Sequence, residues 1–363
     1  MSIQLWNWFL DFDVTIQSAL IASLTTILVF FLKDLVIKLL NDKKANNQKA
    51  LDIFRLYSDP LARSAETLFW RMKEILCDNG RAVFLLAERV NDPFHEYKFR
   101  STLYRLSAFI GWIRAYRKEL VYLSLLNEAK IKPLRDALAQ FERALADGHK
   151  IEAKRLNALV EVWGLTIGGE NSVKCAVAVE NVLKSSLKNA DWDLANSLTE
   201  KEQSDLCLRL YKTLARNLKI QELPKSLILE KLDEVIQLLS IREAWLYREY
   251  QTGIGDLVLS KTSRGDKLYT VIGYEEFETL LLSTDNHHAR WVSRLEILFD
   301  QLDIENAVGS DARLYLLEQT FIGLAKVLIA LSALQKRRPG ISAGALEKAQ
   351  EIISDNSWRR AHL

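Results

Sequence analysis

The chain has 363 residues, with 49 Lys and Arg against 47 Asp and Glu for a net charge of +2, and 49% of it is apolar. This excludes a disordered, collagen-like or disulfide-scaffolded chain, and the near-neutral balance argues against a protein built to coat nucleic acid or anionic lipid. Its 14 Gly and 5 Pro fall well short of the usual ~12% of a chain, so long helices are expected.

The first 13 residues carry Asp11 and Asp13, no base, and Trp6 and Trp8 as candidate interface anchors. From Val14 to Leu32 there are 19 residues without a charge. As a helix they span about 28 Å, close to the ~30 Å hydrocarbon core. The predicted element is a transmembrane helix with a juxtamembrane extension, residues 14–40. A cleaved signal peptide fits poorly, because no Lys or Arg precedes residue 33 and Lys33-Asp34 stands where a cut would fall. Lys33, Lys38, Lys43, Lys44 and Lys49 come after the span against Asp34 and Asp42. The excess of bases places the N-terminus outside and the rest in the cytoplasm, a single pass through the plasma (inner) membrane. Cys77, Cys175 and Cys207, far apart and without C-x-x-C spacing, agree with a reducing compartment.

At about 100° per residue, Thr15, Ser18, Ala22, Thr25 and Thr26 share one side of the span, while Ile16, Leu20, Leu24, Ile27 and Phe31 share the other. Small and hydroxylated residues gather where helices meet in lipid, so the stripe predicts a homo-oligomer. A partner membrane protein, or hydroxyls that simply bond back to their own helix carbonyls, are the competing readings.

The remainder reads as an all-α bundle in two helical lobes, 50–165 and 170–363, divided at Gly164, Gly168 and Gly169. Asp59-Pro60 is expected to open a helix, and Thr199 with Glu202 to form a capping box. Pro224 is expected to open a helix running through Tyr250, with further helices near Ala289–Gln301 and Asp311–Gln335. A short β-hairpin near 257–274, around LYTVI, is the most strand that the pattern allows. The apolar run Phe321–Leu334 is 14 residues long and interrupted by Lys326, the length of a core helix rather than of a crossing.

Catalytic and metal signatures fail on context. Gly253-Ile-Gly255 lacks the third glycine and the strand of a dinucleotide site. Gly340-Ile-Ser342-Ala-Gly344 matches G-x-S-x-G, with Asp355 and His362 further on, but no strand feeds the serine. His287-His288 beside Asp285 reads as a solvated loop, not a metal site. No catalytic residue, metal or cofactor is expected.

Two clusters stand out. Residues 97–120 carry six bases interleaved with six aromatics. Arg105, Arg114, Arg117 and Trp112 are its candidate ligand-binding residues. On a helical wheel Arg117 falls within the apolar face and Arg114 at its edge. Each then needs an internal carboxylate, such as Glu66 or Glu74, or a small anionic ligand. Residues 244–257 place Trp245, Tyr247, Arg248 and Asp256 before a Gly-rich loop, a candidate recognition or hinge region.

The layout looks like that of bacterial single-span proteins with a cytosolic helical sensor or docking domain, including membrane effectors used in phage defence. The expected function is that of a sensor or scaffold module that self-associates in the bilayer and binds a cytoplasmic protein or small anionic ligand, nucleic acid being disfavoured. A ligand-triggered, membrane-disrupting oligomer is the alternative, and an enzyme on a helical scaffold the third.

Overall fold

The computed structural model describes residues 13–78, 81–86, 92–119, 128–187, 195–262, 267–283, 285–306, 311–334 and 340–360. The anchors Trp6 and Trp8, with Asp11, lie outside the described residues, as does His362. The architecture is an all-α bundle with one two-stranded hairpin, as the composition foretold.

Helix α1, Val14–Leu76, is 63 residues long, about 95 Å at 1.5 Å per residue. Asp13 caps it by accepting from the Thr15 N–H at 2.9 Å. Its first part, Val14–Asn46, is long and apolar enough to cross a membrane and buries nothing within the protein. From Phe54 the same helix enters the core with Tyr57, Leu61, Ala62, Ala65, Leu68, Phe69 and Met72 buried along one face.

The expected start at Asp59-Pro60 is therefore corrected: Pro60 lies inside α1. An interior proline costs about 3 kcal/mol through its missing hydrogen bond and its clash. Each large apolar side chain buried on either side of it returns about 1.5–3 kcal/mol. The stripe spans Pro60 without interruption, so packing overrides the break.

Helix α2 is Pro93–Glu119, α3 Glu128–Ala146, α4 His149–Val162, α5 Gly169–Ser186 and α6 Glu200–Leu218. The capping box at Thr199 and Glu202 forms as expected, with Thr199 N–H donating to Glu202 at 3.0 Å. The helix expected from Pro224 through Tyr250 is broken into α7 (Lys225–Leu229), α8 (Leu232–Leu239) and α9 (Arg248–Leu257). The cause of the longer break, between α8 and α9, lies at 240–247. The Ser240 hydroxyl closes α8 by donating to the Ile236 carbonyl at 2.7 Å, and it accepts the Asn196 N–H at 2.9 Å. The chain then runs extended: Leu246 N–H reaches the Leu145 carbonyl and the Arg242 carbonyl accepts from Ala312, both at 2.8 Å. These long-range bonds replace the helical ones that the segment gives up.

Strands β1 (Leu259–Lys261) and β2 (Tyr269–Val271) pair antiparallel with Ser260 opposite Thr270. The Tyr57 hydroxyl of α1 accepts the Leu268 and Tyr269 N–H groups at 3.1 and 3.2 Å, pinning the hairpin to the long helix. Helix α10 is Tyr274–Leu281, α11 Asn286–Phe299, α12 Ala312–Leu334 and α13 Ala343–Ser354. Helix α12 is long and apolar enough to cross a membrane, yet most of it is buried, which makes it the core helix that its length implied. Its Gly323 lets α3 approach so closely that a Cβ there would stand 2.9 Å from Phe141 Cα.

The buried side chains form two clusters whose boundary differs from the expected division at Gly164–Gly169. One unites 54–145 with 244–352, around α1, α2, α3, α9 and α12. The other holds 156–239, from α4 to α8, with the glycines inside it. A chain read linearly places a boundary at its weakest helix former, whereas here residues 54–145 and 244–352 pack together around an intervening segment.

Candidate functional site

The structure joins the two sequence clusters at one point. Helices α2 and α9 cross where Gly255 leaves room for Arg114, whose Cβ would be 2.9 Å from a Cβ at that glycine. Arg114 then forks onto Asp256, Nε and Nη2 donating at 3.0 and 3.1 Å, and Lys118 reaches the same carboxylate at 2.8 Å. Partial burial disfavours the charge on Asp256, but the hydrogen bonds from Arg114 and Lys118 outweigh it and hold its carboxyl below the usual range.

The other candidates on α2 are also engaged. Arg117 is corrected: it is exposed, not in the apolar face, and pairs with Glu142 at 2.5 Å. The last turn of α2 buries Ala115, Tyr116 and Glu119 instead, with Tyr116 edge-on to Phe54 at 6.3 Å between centroids. Packing against α1 rotates the buried stripe away from its position on an ideal wheel. Arg105 donates to the Thr67 carbonyl at 3.3 Å. Trp112 is half-buried beneath the Lys267 ammonium, 5.8 Å from its ring centre.

The expected carboxylate partners serve other groups. Glu74 takes Lys98 at 2.5 Å and Arg71 at 3.2 Å, while Glu66 accepts from the Ser342 hydroxyl at 2.5 Å. Ser342 caps α13, its side chain accepting from Ala345 N–H, which is a structural use of the G-x-S-x-G match. Arg71, which the sequence pattern did not mark, is buried: it donates to the Lys98 carbonyl and to Thr102, each at 3.0 Å. Burial and the nearby Arg105 charge, partly offset by Glu74, push its guanidinium down to about 10.

The 244–257 residues divide rather than converge. The Trp245 indole donates to Glu243 at 2.9 Å, and its ring lies against Gly148. Tyr247 caps α9 and is exposed, as is Arg248 behind it. Burial raises the Tyr247 hydroxyl; Lys184 opposes that effect, while Glu152 and Glu243 add to it. Glu243 itself, partly buried, joins the buried Arg155 and Glu180 in a triad between the two clusters, in which Arg155 Nη2 meets it at 2.5 Å and Nη1 binds Glu180. Burial acts against the Arg155 charge, but the two carboxylates raise its affinity for the proton above the ordinary value.

A different group escaped the sequence reading. On α11, Arg290 and Arg294 flank Trp291, and Arg294 lies over the Tyr250 ring with its Cζ 3.5 Å from the centroid. Arg294 and Arg290 also stand 5.2 and 4.9 Å from the Trp291 ring centre. Gly253 makes the stack possible: a Cβ there would meet the indole at 2.4 Å. Tyr247 completes it, edge-on to Tyr250 at 5.5 Å. Among the described residues neither guanidinium has a carboxylate within ion-pair distance. The available signal was Arg-Trp-x-x-Arg, with bases at i and i+4 and no acid one turn away to pair with Arg294.

In the candidate span, Thr15, Ser18, Ala22, Thr25 and Thr26 are all exposed. Ser18 donates to the Thr15 carbonyl at 2.9 Å, and Thr25 and Thr26 donate to Ile21 and Ala22 carbonyls at 2.7 Å. Thr15 bonds Asp13. Each hydroxyl proton is used locally, so the stripe offers a neighbour its small size and remaining lone pairs. His288 Nδ1 stands 3.8 Å from Asp285, and the His287 side chain lies outside the described residues. Among the described residues no group of three His, Cys, Asp or Glu side chains converges as for a metal.

The chain matches no protein-family model, no curated protein and no solved structure.

Proposed function

We propose that this protein is a membrane-anchored helical module that self-associates through its N-terminal span and recognises a cytoplasmic ligand or partner with its bundle. The observation that carries the reading is the continuity of α1. One unbroken helix is uncharged from Val14 to Leu32, has none of its apolar window over Val14–Asn46 buried, and then forms a wall of the core from Phe54 to Leu76. The lysines that follow the charge-free run, Lys33, Lys38 and Lys44 among the exposed residues, support a cytoplasmic bundle beneath the plasma membrane. The Ser18-xxx-Ala22-xxx-Thr26 row supports close helix approach.

The test is the mass of the detergent-solubilised chain beside a triple variant, Ser18→Leu, Ala22→Leu and Thr25→Leu. A wild-type oligomer that falls to a monomer in the variant is the expected result. Equal masses would remove assembly through the span.

A second reading, a ligand-triggered oligomer that breaches the membrane, draws on the same continuity, because a rigid helix passes a rearrangement of the bundle into the bilayer. It predicts membrane depolarisation on overexpression, suppressed by the triple variant. Unchanged potential at high expression would remove it.

A further inference from the structure

We propose that the Arg290–Trp291–Arg294 face of α11, with Tyr247 at its edge, binds a nucleotide: phosphate oxygens on the two guanidiniums and the base on the tyrosine ring. The inference rests on the reading of the bundle as a ligand-recognising module and gives that module a site.

The argument starts from what stacking leaves unused. A guanidinium carries five N–H donors in one plane. Laid on an aromatic face, it is attracted through its charge, and its donors point outward around the rim. Arg294 is seated in this way on Tyr250 at 3.5 Å, with Trp291 beside it at 5.2 Å. Arg290 stands over the indole at 4.9 Å. Among the described residues neither guanidinium makes a hydrogen bond or ion pair, whereas Arg114, Arg117, Arg155 and Arg313 each hold a carboxylate.

Like charges at i and i+4 repel. Two such cations fixed on one ring system, without a counter-charge, form a preorganised fork for an oxyanion. The rings beneath the fork are packed, because the indole lies against Gly253 of α9, where a Cβ would meet it at 2.4 Å.

The choice of nucleotide over a bare anion comes from Tyr247. It is 40% exposed and edge-on to Tyr250, the ring on which Arg294 lies, so an exposed aromatic side chain stands one ring away from the phosphate fork. The choice over nucleic acid comes from charge. Of the six cations of α2 that would extend a track, all but Arg105 are consumed by Glu74, Glu96, Glu142 and Asp256, leaving a site for a few phosphates and not for a polymer.

The experiment is calorimetric titration of the full-length protein in detergent with each of the four common ribonucleoside triphosphates, with tripolyphosphate, with the matching nucleoside and with a uridine oligomer. At least one triphosphate is expected to bind, and R290Q/R294Q to weaken it about tenfold or more, as loss of charge-assisted forks implies. R290K/R294K keeps the charges but not the forks and is expected to recover binding only in part. Y247A is expected to weaken the triphosphate and leave tripolyphosphate unchanged. Thermal melting of each variant confirms that it is folded.

Absence of binding by every triphosphate at millimolar concentration overturns the proposal, as does equal affinity in R290Q/R294Q. An oligomer that binds through these arginines while no mononucleotide does would overturn the nucleotide in favour of RNA. Assembly through the span is read separately by mass, so this site can fail while the anchored module stands.

Discussion

Helices α2 and α11 carry the same ingredients and put them to opposite uses. In α2 five of the six bases are drawn to acids, Lys98 to Glu74, Arg100 to Glu96, Arg114 and Lys118 to Asp256, and Arg117 to Glu142, while Arg105 donates to the Thr67 carbonyl. In α11 the two arginines rest on Trp291 and Tyr250 with their donor edges uncommitted. The richer cluster is therefore the neutralised one. Local density of cations and rings says little about binding until the acids that the fold delivers have been subtracted.

The sharpest break in the neutralised class is at Arg155, whose side chain is fully buried between Glu180 and Glu243. Arg155→Met strands two carboxylates and is expected to cost about 3–5 kcal/mol of stability, read as a large drop in the denaturant midpoint. The open class breaks at Gly253. Gly253→Val drives a side chain into Trp291 and is expected to cost about 1–3 kcal/mol by overpacking. It should also shift the tryptophan emission, because the indole must leave α9. Asp256→Asn tests the contrast itself. The bridge is exposed enough for water to screen it, so the loss is expected below about 1 kcal/mol and smaller still at high salt. The variant would free Arg114 and Lys118, and tripolyphosphate affinity should rise; no gain would mean that α2 cannot be opened by removing one acid.

Those features written in local pattern were legible. The charge-free run beginning at Val14, the Thr199–Glu202 box, the hairpin near Tyr269 and the burial of Phe321–Leu334 each stem from composition or spacing within one element. What could not be read depends on contacts distant in sequence. Pro60 stays helical because α1 is packed on both sides of it. The helix expected through Tyr250 breaks because Leu145 and Asp311 lie beside the segment. Arg114 finds Asp256, 142 residues away, rather than an acid of the adjoining helix. The α11 stack needed Tyr250 and Gly253 from another helix before its arginines differed from ordinary surface bases.

The end of α2 holds the smallest of these effects, a buried acid without a cation among the described residues. Glu119 is 7% exposed, and burial raises its carboxyl above the ordinary value; its charge in turn helps raise the Tyr57 hydroxyl that holds the hairpin. In the window between the unfolded and folded values the folded protein keeps a proton that the unfolded chain has released. Stability therefore falls as pH rises through that window, and the full penalty is in place above it. Glu119→Gln removes the titration. The variant is expected to match the wild type at the acidic end of the window and to exceed it at neutral pH, as read by chemical denaturation across the range. Parallel pH profiles would mean that Glu119 keeps its charge in the fold and that its burial costs it little.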